Sequence, residues 1–341
     1  MSANHPTIKE IALRLNVSIS TVSRALHDHP RIGPKTKERV KELARKMKYE
    51  PNAQAIFFKQ QKTAVIGVVL PSIKEEFFSQ AISGIEAAAI QYDYTILFGQ
   101  SHDDPAIEKR VVETMKRQRV DGIIISLSKN TNKISYLKEI ENAGIPVVFF
   151  DRVPDQPDVH KVYCDIFKST IDMVNWLYSR GYRKIAMING PANLTASKER
   201  MEGYKQALSQ KKMKIDMRYF ESTDLTKEGT TNAIKKLLSL KTRPTAIISF
   251  NDYVHMDATQ FAHLQGVKIN ADIAFVSYSN LSITDYTAYP PLLSVEQYPY
   301  GQGEQAMETM IRSMSADHEK DLFYHEKVPA TLVIQNTNHI R

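Results

Sequence analysis

Thr7-Ile8-Lys9-Glu10-Ile11-Ala12-Leu13-Arg14-Leu15-Asn16-Val17-Ser18-Ile19-Ser20-Thr21-Val22-Ser23-Arg24-Ala25-Leu26 reads as two short helices joined by a tight turn. Thr7 with Glu10 three residues later has the form of a capping box, which satisfies two backbone N–H groups at a helix start. Ile8, Ile11, Ala12 and Leu15 follow at helical spacing and make one apolar face. Asn16-Val17 is a short break, and Ser18 can cap a second helix running through Thr21, Val22 and Leu26. Two helices so closely joined form a helix-turn-helix, whose second helix can enter the major groove of DNA. Val22 and Leu26 face inward there, leaving Ile19, Ser20, Ser23 and Arg24 on the outer face. Arg24 can pair with a guanine edge or clamp a phosphate, and the hydroxyls can serve either target.

The flanking sequence extends this reading. A third helix opens at Gly33-Pro34, with proline at its first position, and buries Val40, Leu43, Ala44 and Met47. Its Lys and Arg residues form a solvated face, part of which can lie along a DNA backbone. Tyr49-Glu50-Pro51-Asn52 ends it, because a residue before proline avoids the α region. Asn52 can then cap a very short helix from Ala53 to Phe58, too short to persist without packing or folding on a partner. Residues 1–62 hold 13 of the 45 basic residues but only 5 of the 38 acidic ones, leaving 32 against 33 in the remainder. A strongly basic module on a nearly neutral body suits a nucleic-acid-binding head. A merely solubilising tail lacks such apolar periodicity.

From Thr63 onward strand and helix signals alternate. Ala64–Leu70, Thr95–Phe98, Gly122–Ser126 and Pro146–Phe150 are β-rich, separated by helical Ser79–Ala89, Ala106–Arg117 and Ser135–Ala143. Lys184–Ile188, Ala246–Phe250 and Ala274–Tyr278 repeat the strand pattern. Such alternation implies parallel sheets with helices on both faces, and two sets imply two lobes with a cleft at the strand carboxyl ends. Phe77-Phe78, Asp151-Arg152, Asn251-Asp252 and Gln297 each follow a strand and are candidate cleft residues. Aromatic rings can wall a ligand while Arg, Asp and Asn fix its polar groups. Phe77 can equally be core, and Asp151 and Asp252 can equally cap helices or fasten loops.

Composition narrows the class further. At 341 residues and 42% hydrophobic content, more than one core is expected. The single cysteine, Cys164, excludes an intrachain disulfide and fits a reducing compartment; with His160 it is too little for a zinc site. Met1 to Glu10 has no apolar signal-like stretch and the longest apolar runs are strand-sized, so a soluble cytoplasmic protein without membrane contact is expected. No Gly-x-Gly-x-x-Gly, P-loop, Gly-x-Ser-x-Gly or His-Glu-x-x-His motif is present, and His255 and His263 are spaced wrongly for paired helical ligands. No catalytic residue, metal or cofactor is expected.

Thr7 to Ala12, Val17 to Leu26 and Tyr49-Glu50-Pro51-Asn52 together resemble the LacI/GalR family of bacterial transcription regulators, and the likeness continues through most of the chain. The resemblance implies an all-α helix-turn-helix DNA-binding domain (1–50), a hinge helix and linker (51–62), and an α/β two-lobed periplasmic-binding-protein-like domain (63–341). Three crossings, near Cys164, Pro290 and Tyr324, would divide the last into an N-lobe of about 63–163 and 291–323 and a C-lobe of about 164–290 and 324–341. It implies a homodimer on a roughly palindromic double-stranded operator, with Ile19, Ser20 and Arg24 as the main base-reading positions. Thr7, Ser18, Thr21, Ser23 and His27 complete the head's contacts. Asn52, Ala55 and Phe58 belong to the hinge, which orders in the minor groove. Phe58 stands where the family usually has a leucine wedge, and Ile56 where arginine is frequent. An aromatic wedge can also kink DNA, so Phe58→Ala is expected to weaken specific binding far more than non-specific binding.

In the cleft, the resemblance makes Arg200 the residue that grips the effector. Ser277-Tyr278-Ser279-Asn280 replaces the family's common Gly-Phe-Asp-Asp, so Ser279 stands where a ligand-holding aspartate is usual. His255 and Asp257 replace small residues, and Glu75-Glu76 replace Asn-Pro. These departures point to an altered effector, such as a modified or acidic sugar. The expected function is an effector-controlled repressor of carbohydrate-related genes, dimeric because no heptad tail follows Leu332–Gln335. Alternatives are control by a protein partner or a purine-type ligand. A solute-binding protein would lack the helix-turn-helix, and an enzyme would need a catalytic constellation.

Overall fold

A computed structural model describes residues 6–49, 62–315 and 322–335. The hinge readings at Asn52, Ala55, Ile56 and Phe58 lie outside the described residues. The chain divides into two compact units, Met1–Thr63 and Ala64–Arg341.

In the first unit, α1 (Ile8–Leu15), α2 (Ile19–Leu26) and α3 (Pro34–Lys46) pack on one core. The capping box is formed in both directions: the Glu10 amide donates to Thr7 Oγ1 at 3.3 Å and the Thr7 amide to Glu10 Oε2 at 3.1 Å. Asn16 ends α1 in the left-handed region, and Ser18 Oγ accepts from the Thr21 amide at 3.0 Å to start α2. The core comprises Ile11, Ala12, Val22, Ala25, Val40 and Ala44, with Ile8, Leu15, Leu26, Leu43 and Met47 half-buried against it. Ala25, which apolar spacing alone did not single out, is small enough to be wholly enclosed.

The second unit holds two six-stranded sheets. The first contains β1 (Val65–Leu70), β2 (Thr95–Gln100), β3 (Gly122–Ile125), β4 (Val147–Phe150), β5 (His160–Cys164) and β11 (His325–Val328), in the order β11-β5-β4-β3-β1-β2. The second contains β6 (Ile185–Asn189), β7 (Phe220–Ser222), β8 (Ala246–Ser249), β9 (Ala274–Ser279), β10 (Leu293–Glu296) and β12 (Thr331–Ile334), in the order β12-β10-β9-β8-β6-β7. Among the described residues only β10 and β12 pair antiparallel. Helices cover both faces of each sheet, so β3 (Gly-Ile-Ile-Ile) and β4 (Val-Val-Phe-Phe) are apolar throughout rather than alternating.

Sheet membership corrects two expected crossings. The first runs through Asp165, between β5 and α7 (Ile166–Ser179). The second lies at Gln297-Tyr298 rather than near Pro290, because β10 still pairs with β9 in the second sheet. The third lies at Pro329-Ala330 rather than near Tyr324, because β11 pairs with β5 in the first sheet. Residues 293–296 thus belong to the C-lobe and 325–328 to the N-lobe. After the second crossing, α11 (Pro299–Ser315) packs on α4 (Glu76–Gln91). The backbones approach so closely that a Cβ on Gly303 would lie 2.1 Å from the Ala81 carbonyl oxygen. Among the described residues no helix is long and apolar enough to cross a membrane.

Candidate functional site

The head presents α2 as its polar, accessible element. Thr7, Ser18, Ser20, Arg24 and His27 are exposed, and Ile19 keeps 46% of its surface although it is a large apolar residue. Thr21 and Ser23 are half-buried. Ser18 Oγ lies 2.8 Å from both Ser20 Oγ and Thr21 Oγ1, so three hydroxyls gather at the start of the helix. Val22 and Ala25 on the opposite side anchor it to α1 and α3. The result is a rigid rod with an outward Ile19, Ser20 and Arg24 and a helix N-terminus, a combination suited to base edges and phosphates.

The second unit encloses a cavity between its lobes. Phe77, Phe78, Asp151, Arg152, Arg200, Asn251, Ser279 and Gln297 all line it. Asp252 does not. It is fully buried one residue into α10 (Asp252–Leu264), where its carboxylate accepts the Leu281 amide at 2.7 Å and fastens that loop. A single helix step turns a side chain by about 100°, which separates Asp252 from the cavity-lining Asn251. Burial pushes the Asp252 carboxyl up to about 7. His255, on the same helix, is also wholly buried; Nε2 lies 2.7 Å from the Tyr289 carbonyl and burial drives its pKa down to about 4.

Arg200 is the most unusual group in the cavity. It sits on α8 (Thr195–Gln210), 3% exposed, with its guanidinium 4.1 Å from the Phe250 ring centroid and 4.3 Å from that of Tyr278. Tyr278 is fixed in turn by its hydroxyl, 2.6 Å from Thr170 Oγ1. Phe250 finds room because residue 190 is glycine; a Cβ there would meet the ring at 2.6 Å. Arg200 Nε and Nη1 have no hydrogen-bond partner, and burial lowers its pKa. Donors held rigidly and left unsatisfied at this depth call for acceptor atoms.

The other polar groups are more committed. Arg152 donates to Asp103 Oδ1 at 2.6 Å and lies 5.4 Å from the Phe78 centroid. Asn251 Oδ1 caps α10 through the Val254 amide at 2.9 Å. Ser279 Oγ donates to Gln297 Oε1 at 3.3 Å, bracing it. Asp151 has a left-handed backbone, and burial raises its carboxyl to about 6. Phe77 and Phe78 meet edge to face at 5.5 Å; both line the cavity and both belong to the lobe core.

Tyr163, Thr195, Glu199, Phe250 and Tyr253 also line the cavity and were not among the sequence candidates; Glu75, noted in the sequence only as a departure from the family, lines it too. Tyr163 near the end of β5 obeys the strand-carboxyl-end rule that selected the others. Thr195 and Glu199 share one face of α8 at i, i+4 spacing, beside Arg200.

Hydrogen bonds clasp the lobes at both rims. On one, Glu76 accepts the Ser282 and Ile283 amides at 3.0 and 3.2 Å and gives its own amide to Tyr253 Oη at 3.0 Å. On the other, Thr195 Oγ1 donates to the Val153 carbonyl at 2.9 Å, Lys198 pairs with Asp155, and Lys129 Nζ donates to the Asp224 carbonyl at 2.8 Å. Glu76 therefore has a structural use that proline could not supply.

The comparisons agree with this architecture. Residues 7–52 match bacterial regulatory proteins of the lacI family, and residues 63–336 match the periplasmic binding proteins and sugar binding domain of the LacI family. The HTH-type transcriptional repressor CytR of Escherichia coli (strain K12) is 30% identical, over 92% of this chain and 91% of its own. The HTH-type transcriptional repressor PurR of Vibrio atlanticus (strain LGP32) is 27% identical, over 97% and 99%. The lac repressor dimer bound to operator and the anti-inducer ONPF shares the fold, with a TM-score of 0.80 at 23% identity over 96% and 97% of the chains. From its capped three-helix head to its two parallel-sheet lobes, the chain belongs to the LacI family of bacterial regulatory proteins.

Proposed function

We propose that the chain is a transcriptional repressor that binds a roughly palindromic operator as a homodimer and is controlled by a polyhydroxyl small molecule held between its lobes. The observation that carries the effector reading is Arg200, which lines the enclosed cavity, is buried between two rings and keeps two donors without a partner. Hydroxyl and ring oxygens are suitable acceptors, and Asn251, Gln297 and Ser279 can orient them. An acidic sugar fits poorly, because Glu75, Asp151 and Glu199 line the same space. The exposed Ile19, Ser20 and Arg24 of α2 support base reading, with basic residues of α3 available for phosphates.

Control follows from differential binding. A ligand that prefers one arrangement of the lobes shifts the protein toward it, and a coupling of about 1–3 kcal/mol changes operator affinity by roughly 5- to 150-fold. Fluorescence anisotropy with DNA from upstream of its own gene tests the proposal. Binding is expected to weaken with salt by a slope of about −0.9 per neutralised phosphate. Arg24→Ala is expected to reduce specific affinity by about 1–3 kcal/mol. Absence of a specific site, or an affinity that no sugar or polyol alters, defeats the corresponding half.

A further inference from the structure

The second unit is nearly neutral as a whole, but its cations gather at one end of the C-lobe sheet. Between α7 and β6, residues 180–184 include Arg180, Arg183 and Lys184. Between α8 and β7, residues 211–219 include Lys211, Lys212, Lys214 and Arg218, with Asp216. Between α9 (Lys227–Ser239) and β8, residues 240–245 include Lys241 and Arg243. Strands β7, β6 and β8 are parallel neighbours, so the three loops lie side by side at the strands' amino ends, opposite the cavity. Bonds join them: the Thr245 amide donates to the Lys184 carbonyl at 2.8 Å, and Tyr219 Oη to the Thr242 carbonyl at 2.9 Å.

Nine basic residues thus accompany one acidic residue, Asp216, which Arg218 already binds at 2.6 Å. Among the described residues none of the other eight forms an ion pair. Helix ends account for a small part of this. The C-termini of α7, α8 and α9 meet here, and at about half a negative charge each they call for about 1.5 positive charges. The N-lobe supplies the comparison. There α4, α5 (Pro105–Arg117) and α6 (Ser135–Asn142) enter β2, β3 and β4 through 92–94, 118–121 and 143–146, whose charged residues are Asp93, Arg119 and Asp121. The same arrangement of helix ends stands there without a basic excess, so the fold does not require one.

The pole is also partly preorganised. Arg183 lies flat on the Tyr178 ring, 3.7 Å from its centroid, and Lys211 lies 5.3 Å from the same ring. Arg180 lies 3.8 Å from the Trp176 centroid. Guanidiniums held this way lose little freedom on meeting a phosphate. Ile215 and Met217 are the pole's exposed large apolar side chains, too few for the aromatic-rich centre of a protein interface. Beyond the operator contact of the head, we propose that this pole is a second, sequence-independent contact for the phosphates of duplex DNA. A head-bound protein can then hold a second DNA segment.

Energy transfer between two labelled duplexes tests this on the full chain at about 50 mM salt, where phosphate contacts are strong. The donor duplex comes from upstream of its own gene and the acceptor duplex has random sequence. Transfer is expected, falling with salt at a slope of about −3 or steeper, as three or more neutralised phosphates require. Lys184, Lys212 and Lys214 are exposed. Lys184→Glu, Lys212→Glu and Lys214→Glu together are expected to cut capture of the second duplex at least about tenfold, with affinity for the first, read by anisotropy, kept within about twofold. Arginine at the same three positions is expected to preserve the transfer. Absence of transfer, transfer that survives the three reversals, or a parallel loss of affinity for the first duplex overturns the second contact. So does poly-L-glutamate that displaces the acceptor better than unlabelled duplex at equal charge, since the pole then suits an acidic protein. The operator reading is judged separately, by anisotropy alone.

Discussion

Arg200 is a cost that the free protein bears for its ligand. Removing a guanidinium from water costs several kcal/mol, and stacking on two rings with Asp151 nearby returns only part of this. Arg200→Met is therefore expected to stabilise the effector-free protein by about 1 kcal/mol in chemical unfolding while eliminating the effector response. Lower stability in the variant would mean that the cation is structural. Asp252 gives a second residue-scale outcome. Its folded pKa of about 7 lies above the ordinary 3.8, so the folded state binds a proton more tightly than the unfolded one. Stability conferred by protonated Asp252 is present at low pH and lost as pH rises from about 4 to about 7. His255 acts oppositely, favouring the fold above about 6.5 and less as pH falls toward 4. The stability gap between Asp252→Asn and the parent is expected to move in the variant's favour as pH rises through that window. Denaturant melts at several pH values would reveal a flat gap if Asp252 were ordinarily ionised.

At the scale of elements, local chemistry was legible and pairing was not. Thr7, Glu10 and Ser18 announced two helix starts because caps act within three residues. Ser18→Ala is expected to destabilise the head by about 1 kcal/mol and to reduce operator binding, measured by melting the full chain and by anisotropy. Unchanged affinity would show that α2 keeps its geometry without the cap. Most strands of both lobes were visible as β-rich runs, but β5, β7 and β11 were not, and nothing local to Leu293–Glu296 or His325–Val328 states which sheet it joins. That choice depends on partners distant in sequence, which is why two crossings were misplaced. Gly303 is a third case, an unremarkable helical glycine in sequence that permits the close approach to Ala81. Gly303→Ala is expected to cost about 1–3 kcal/mol, because backbone rather than a flexible side chain blocks the added methyl. Thermal unfolding indistinguishable from the parent would imply that α4 and α11 can separate freely.

For the molecule as a whole, charge and cleft divide the labour. The basic excess belongs to residues 1–62, and the recognised cavity belongs to the second unit. Strand-end position and the family resemblance were enough to find Arg200 and seven other residues of the cavity wall. They could not reveal the two-ring packing of Arg200, since Phe250 and Tyr278 reach it from different strands, nor the inward turn of Asp252. Glu76 joins the lobes through three hydrogen bonds. Glu76→Ala is expected to accelerate hydrogen exchange at the Ser282 and Ile283 amides by about tenfold or more, a local opening cheaper than global unfolding. Exchange at the parent rate would mean that the clasp is redundant.

Bonds at opposite rims also have a kinetic corollary. If incoming molecules enter only after the rims part, stopped-flow traces will speed up with ligand concentration and then level off at the parting rate. Cutting one rim bond would lift that plateau while leaving the low-concentration slope nearly proportional to the fraction of time the entrance is open.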